Sequence, residues 1–198
     1  MFIVSDITAL QIFKRAIVKA VIFGINKISF RKKPWSIKKL KPEAQLDLSA
    51  IGKGSGVDRV AELLESMAIH DYMIEIGGEM KLKGAKTPDQ PWRVGISVPK
   101  AGRKSAVRVL RMSDAMAIAT SGDYNNFFEK KGKRFSHTID PRTGTPITHQ
   151  LASVTVVHPN CMLADAYATV IMVLGPEEGM KFAKKLELNA YLIIKAGD

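Results

Sequence analysis

The sequence predicts a single α+β domain with a mostly antiparallel sheet and packed helices. Helical spacing of apolar residues is confined to the stretches before residue 70 and after residue 160. Between them runs a succession of short strand patterns broken by glycine and proline turns. At 198 residues and 46% hydrophobic composition the chain can bury one sizeable core, and it carries no internal repeat and no low-complexity segment.

Residues 7–23 read as an amphipathic helix, with Gln11, Lys14, Arg15 and Lys19 spaced along one face, that packs on the core or lies on an anionic membrane. The same lysines and arginine interrupt the apolar run, which leaves it short of the roughly 18 residues of a membrane span. They also lie inside the run instead of before it, unlike a secretory signal. Residues 25–48 alternate weakly around Pro34 and Pro42 and suit short strands and loops. Residues 49–56 read as a glycine-rich turn, and from Val57 the positions Val60, Leu63, Leu64 and Met67 repeat at helical spacing to about Ile69.

Strands are then predicted at 72–76, 80–83, 92–98, 106–112 and 116–120, separated by Gly77-Gly78, Pro91 and residues 99–102. An extended segment at 134–139 enters Asp140-Pro141-Arg142-Thr143-Gly144, whose residue types make a turn, and 152–157 reads as a buried strand. Two helices, 163–174 and 176–186, and a strand at 190–195 complete the order.

The net charge of +11 is unevenly placed. Residues 1–41 hold ten Lys and Arg against one acid, Asp6, while residues 42–198 hold twenty against eighteen. Clusters such as Arg31, Lys32, Lys33 and Lys38, Lys39, Lys41 therefore read as a solvated surface, and no nucleic-acid partner is expected. A single cysteine, Cys161, excludes an internal disulfide and a multi-cysteine zinc site, and reads as a small buried hydrophobe.

Three features carry chemistry. Asp165 and Thr169 stand four residues apart, so a helix projects a carboxylate and a hydroxyl from one face. Such oxygens suit magnesium when a phosphorylated ligand supplies the remainder, although a capping Asp with a packed Thr gives the same pattern. The loop from Asp47 to Gly54 combines glycines that allow close backbone approach with Lys53, which can meet an anion, but its spacing is not that of a Walker A loop. In Ser136-His137-Thr138-Ile139-Asp140-Pro141 a histidine precedes a rigid turn, and histidine suits proton transfer near neutral pH. His70, His149 and His158 lack such a context and read as structural or surface residues.

Five blocks occur in order: residues 47–58 (DLSAIGKGSGVD), 75–79 (EIGGE), 117–124 (AIATSGDY), 136–144 (SHTIDPRTG) and 161–169 (CMLADAYAT). Together they resemble the ApbE family of FAD:protein FMN transferases over residues 24–198, with 1–23 as a divergent basic amphipathic segment. The resemblance implies that family's T-fold-related α+β fold. It further implies Mg²⁺ on the Ala50 carbonyl, Asp165 and Thr169, FAD contacts from Asp47, Lys53 and Ile139, and proton handling by His137 or Asp165. Gly77-Gly78, Ser121, Gly122 and Asp123 would shape the nucleotide pocket. The implied reaction moves FMN from FAD onto a threonine hydroxyl of an acceptor flavoprotein, a flavin-carrying subunit of a bacterial redox pump or related electron-transfer protein, and releases AMP.

Family members carry a longer segment before the first block, whereas 46 residues precede Asp47 here, and Ser55 stands where an aromatic residue is often found. The family usually works outside the cytoplasm behind a lipoprotein or secretory signal, and residues 1–23 read as neither. The same residues suit two other activities. Attack by water instead of a threonine gives an FAD pyrophosphatase, and retention without turnover gives a flavin-binding module. A basic module acting through residues 1–41 on DNA or anionic membrane is a further reading.

Overall fold

The computed structural model describes residues 27–42, 44, 46–97, 106–112, 114–122, 127–130, 133–136 and 138–195, with the backbone alone at 127–130 and 133–135. The helix expected at 7–23 and the boundary after residue 23 lie outside the described residues.

A hairpin of β1 (Ile28–Lys32) and β2 (Trp35–Lys39) leads to α1 (Ser49–Ser66). Next come β3 (Tyr72–Ile76), β4 (Glu79–Lys83), β5 (Ala85–Thr87), β6 (Gln90–Ser97), β7 (Ala106–Met112) and β8 (Met116–Gly122). A second hairpin, β9 (Phe127–Lys130) with β10 (Lys133–Ser136), precedes the short pair β11 (Ile139–Asp140) and β12 (Thr145–Pro146). The chain finishes with β13 (Leu151–His158), α2 (Cys161–Leu174), α3 (Pro176–Lys185) and β14 (Asn189–Ile194).

The central sheet has the order β14-β13-β8-β4-β3, and every neighbouring pair is antiparallel. Strand alternation divides its two faces. Ala117 and Ala119 of β8 and Val154 and Val156 of β13 point to the helices, where α2 brings Leu163, Ala168 and Ile171 and α1 brings Val57 and Ala61. Ile118 and Leu82 point the other way, onto Val94 of β6 and Met112 of β7, so β5-β6-β7 covers the opposite face. Leu82, Leu151, Ile171 and Met172 are fully buried, each worth about 1.5–3 kcal/mol of transfer free energy.

One expectation is corrected. Residues 49–56 are not a turn, because α1 already begins at Ser49. Three glycines within eight residues weaken intrinsic helicity by about 1 kcal/mol each, which is why the sequence reads as a loop. Tertiary packing reverses that preference. Gly54 lies so close to the start of α2 that a Cβ would overlap the Cys161 carbonyl and fall 2.8 Å from the Met162 Cα. A larger residue would hold the two helices apart.

The Gly77-Gly78 pair is a two-residue hairpin turn joining β3 to β4, with φ of +57° and +98°, the left-handed conformations that a tight hairpin needs. The predicted Asp140–Gly144 turn is also present. Thr143 and Gly144 both donate their amides to the Asp140 carbonyl. Asp140 is further locked by Arg142, whose Nε and Nη2 donate to its two carboxylate oxygens at 2.7–3.1 Å.

Candidate active site

The site is built where α1 crosses the N-terminus of α2. Two side chains outside the helix cap α2. Asn160 accepts the Leu163 amide at 2.8 Å, and Asp58, from α1, accepts the amides of Cys161 at 3.1 Å and Met162 at 2.9 Å. A carboxylate there meets orphan amides and the positive end of the helix dipole together. Lys81 of β4 completes the junction, donating to Asp58 Oδ1 at 2.8 Å. Because Asn160 and Asp58 do the capping, Asp165 is not a cap.

Asp165 faces α1 instead, and its Oδ2 accepts the Gly54 amide at 3.1 Å. Among the described residues its Oδ1 carries no hydrogen bond. The carboxyl is 4% exposed, and burial raises its pKa above the ordinary aspartate range, opposed by the Gly54 amide and the charge of Lys53. One turn further on, Thr169 shares a 3.2 Å hydrogen bond with Ser121 of β8. The Ala50 carbonyl lies in the first turn of α1, four residues before Gly54, the spacing of a helical hydrogen-bond partner.

Lys53 leans from α1 across the β3–β4 turn. Its Nζ donates to the Gly77 carbonyl at 3.2 Å and lies 2.6 Å from Glu79 Oε2. The second contact is a close ion pair between the half-exposed ammonium and a buried carboxylate oxygen. Glu79 is 1% exposed, and burial raises its pKa; Lys53 opposes that shift and the nearby charge of Asp165 adds to it. Sequence reasoning placed Glu79 inside a recognisable block but gave it no role. The usable signal was strand alternation: Met80 and Leu82 are the apolar pair of β4, which puts Glu79 and Lys81 on the helix side.

The remaining residues fall around this core. Asp47 Oδ1 accepts the Ser49 amide at 2.8 Å, leading the chain into α1, and its hydrogen bonds with Ser49, side chain first and then backbone, hold its pKa below the usual range. Ile139 is exposed on β11, a strand that packs against α2. His137 and Asp123 lie outside the described residues. Of the other histidines, His70 is exposed. His149 bonds the Met172 carbonyl through Nε2 and accepts the Leu151 amide at Nδ1, and His158 accepts the Asn160 amide, so both are structural. Cys161 is buried, and desolvation first and then nearby carboxylates push its thiol up to about 12, which leaves it unreactive. A cavity of about 260 Å³ beside Asp140, Arg142, Thr145, Ile147 and His149 does not include Asp165 or Lys53.

No three His, Cys, Asp or Glu side chains come together as a metal cluster among the described residues. The oxygens that the resemblance assigned to a metal, the Asp165 carboxylate, the Thr169 hydroxyl and the Ala50 carbonyl, are hard donors, the first two one helical turn apart on α2. That set suits a magnesium ion that completes its shell with water and phosphate oxygens, and it does not suit a protein-caged transition metal. A lysine beside the carboxylate adds a positive charge for a polyanion.

The model of the ApbE family matches residues 10–192. The chain is 48% identical over 157 residues to an FAD:protein FMN transferase of Vibrio cholerae, covering 79% of this chain and 47% of that protein. It is 44% identical over 174 residues to the Haemophilus influenzae protein of the same description, covering 87% and 50%. The chain thus spans about half the length of these curated relatives. Among solved structures, flavin transferase ApbE from Vibrio cholerae superposes with a TM-score of 0.79 at 39% identity, covering all of this chain and 59% of that one. The apo form of Pseudomonas stutzeri flavinyl transferase ApbE gives 0.76 at 35% identity, covering 89% and 53%. With the family model matching residues 10–192 of the 198 in this chain, and with a fold that superposes on flavin transferases of that family, the chain belongs to the ApbE family.

Proposed function

We propose that this chain transfers FMN from FAD to a threonine hydroxyl of an acceptor flavoprotein, with Mg²⁺ as cofactor and AMP as the released product. The observation that carries the reading is the helix junction itself. Asp165 is buried, held by the Gly54 amide, and flanked by Lys53 on one side and Thr169 on the other. This is a small, rigid group of oxygen donors with a cation beside it, suited to a pyrophosphate and ill-suited to an apolar ligand.

In this reading Asp165, Thr169 and the Ala50 carbonyl hold the metal, which supplies Lewis-acid neutralisation of phosphate charge. Lys53 adds positive charge to the pyrophosphate, and Asp47 and Ile139 contact the nucleotide. The acceptor threonine oxygen forms a bond to the FMN phosphorus as the bond to the AMP oxygen breaks, and the threonine proton passes to a protein base. His137 is the proposed base, with Asp165 as the alternative because burial raises its proton affinity. The similarity of the relatives, named for the same transfer, supports the assignment. The proposed domain is residues 24–198, with 1–23 as a separate segment. Association with a membrane is part of the same proposal.

The test incubates the chain with FAD, MgCl₂ and a threonine-bearing acceptor domain, and follows in-gel flavin fluorescence and AMP. Fluorescent acceptor and AMP, both lost with EDTA or in Asp165→Ala, support the transferase. AMP without protein-bound flavin would replace it with hydrolysis, and flavin retention without AMP with a binding module.

A further inference from the structure

We propose that Glu79 is a positioning residue that tethers the Lys53 ammonium beside the Asp165 junction, so that Lys53 is presented to a bound pyrophosphate from a fixed place. The inference rests on the FAD reading above for its ligand, and on independent geometry for the tether.

Glu79 is the first residue of β4, directly after the Gly77-Gly78 turn, and its side chain is 2% exposed while that of Lys53 is 45% exposed. One partner is therefore fixed and the other can move. The same turn supplies both restraints on the ammonium, the Gly77 carbonyl at 3.2 Å and Glu79 Oε2 at 2.6 Å. A free lysine loses up to about 2 kcal/mol of side-chain entropy when immobilised. A lysine already held by its neighbours loses less on meeting a ligand.

The carboxylate is also poorly explained as a purely structural group. The charge that Oε2 meets is the Lys53 ammonium at 2.6 Å, and a buried carboxylate with no role beyond stability is more readily replaced by an apolar residue. Its neighbours Lys81 and Lys83 already have partners in Asp58 and Glu65 of α1, so the three lysines on this side of the sheet are assigned to different carboxylates. Lys81–Asp58 ties β4 to α1 at the helix junction, whereas Lys53–Glu79 holds an ammonium that is 45% exposed.

The experiment compares the full chain with Glu79→Gln, Lys53→Met and the double variant. Thermal melting checks folding, flavin fluorescence measures FAD affinity with MgCl₂ present, and ¹⁵N-lysine side-chain NMR reads the Lys53 ammonium without any ligand. In Glu79→Gln the Lys53 ammonium signal should broaden or vanish, and the FAD dissociation constant should rise about tenfold. The double variant should bind no more weakly than Lys53→Met, because Glu79 acts through Lys53.

An unchanged ammonium signal, or penalties that add in the double variant, would overturn the proposal. A wild-type chain that binds no FAD would overturn the functional reading and, with it, the ligand assigned to the tether. An intact wild type with an indifferent Glu79→Gln overturns the tether alone.

Discussion

Gly54 and Asp165, 111 residues apart in sequence, are joined by a 3.1 Å hydrogen bond from the glycine amide to the Asp165 carboxylate. The contact exists because Gly54 has no side chain to hold α1 away from α2. Packing and chemistry are thus set by one position: the glycine that lets the helices cross also supplies the amide that orients the candidate metal ligand.

Gly54→Ala tests that dependence. Its methyl group would overlap the Cys161 carbonyl, a backbone atom that cannot rotate aside, so the helices must separate. The expected cost is about 1–3 kcal/mol in urea unfolding, with loss of flavin transfer beyond what the remaining folded fraction explains. Gly52→Ala is the control, since a Cβ there meets nothing within 4 Å, and it should be neutral or slightly stabilising.

Asp58 makes a second prediction. It accepts two amides at the start of α2 and pairs with Lys81, and both side chains are largely buried, at 15% and 11% exposure for Lys81 and Asp58. Asp58→Ala removes a cap and strands a buried ammonium, for an expected loss of about 3–5 kcal/mol. Asp58→Ala with Lys81→Met should recover part of that loss in the same denaturation measurement, because no unpaired charge remains.

Much of the frame was legible in the sequence. The strand predicted at 106–112 matches β7, and 72–76 matches β3, because β-branched and apolar residues alternate there between clear turn signals. The start of α1 was misplaced because its glycines lower local helix propensity, and the reason for one of them, Gly54, is a helix whose Asp165 lies 111 residues away. Helical spacing put Asp165 and Thr169 on one face, and α2 carries both, which needs only local sequence; their role toward a metal came from the family resemblance and is proposed. Glu79 received no role because its partner Lys53 comes from another element, and such pairing becomes visible only when α1 is laid across the sheet.

The buried and paired carboxyls predict opposite pH dependences. Asp165 has a raised pKa in the folded chain, chiefly from burial, so its ionisation costs stability once both folded and unfolded states are charged. That cost is absent below the ordinary value of 3.8 and develops as pH rises through the folded value. Asp165→Asn should therefore melt higher than wild type at pH 7, by about 2–4 °C per kcal/mol recovered, with the gap closing toward pH 4. Asp140 is the reverse case. The Arg142 side chain lowers its pKa, so its contribution is present above 3.8 and is lost as pH falls through the folded value. Asp140→Asn should melt lower than wild type at pH 7 and converge with it in acid.

Thr169 separates a ligand from a packing residue. Its hydroxyl shares one hydrogen bond with Ser121 and lies one helical turn beyond Asp165, on the face that looks toward α1 and β8. Thr169→Val keeps the shape and β-branching, so α2 should lose only about 0.5–1.5 kcal/mol for that hydrogen bond. It also removes the oxygen proposed to meet Mg²⁺, while Thr169→Ser retains it. A titration of flavin-transfer rate against MgCl₂ should place Thr169→Ser near wild type. Thr169→Val should need about tenfold more metal or worse, equivalent to roughly 1.4 kcal/mol of lost ligation. If both variants follow the wild-type curve, the hydroxyl serves Ser121 alone, and the metal proposed here would rest on Asp165 and backbone oxygen.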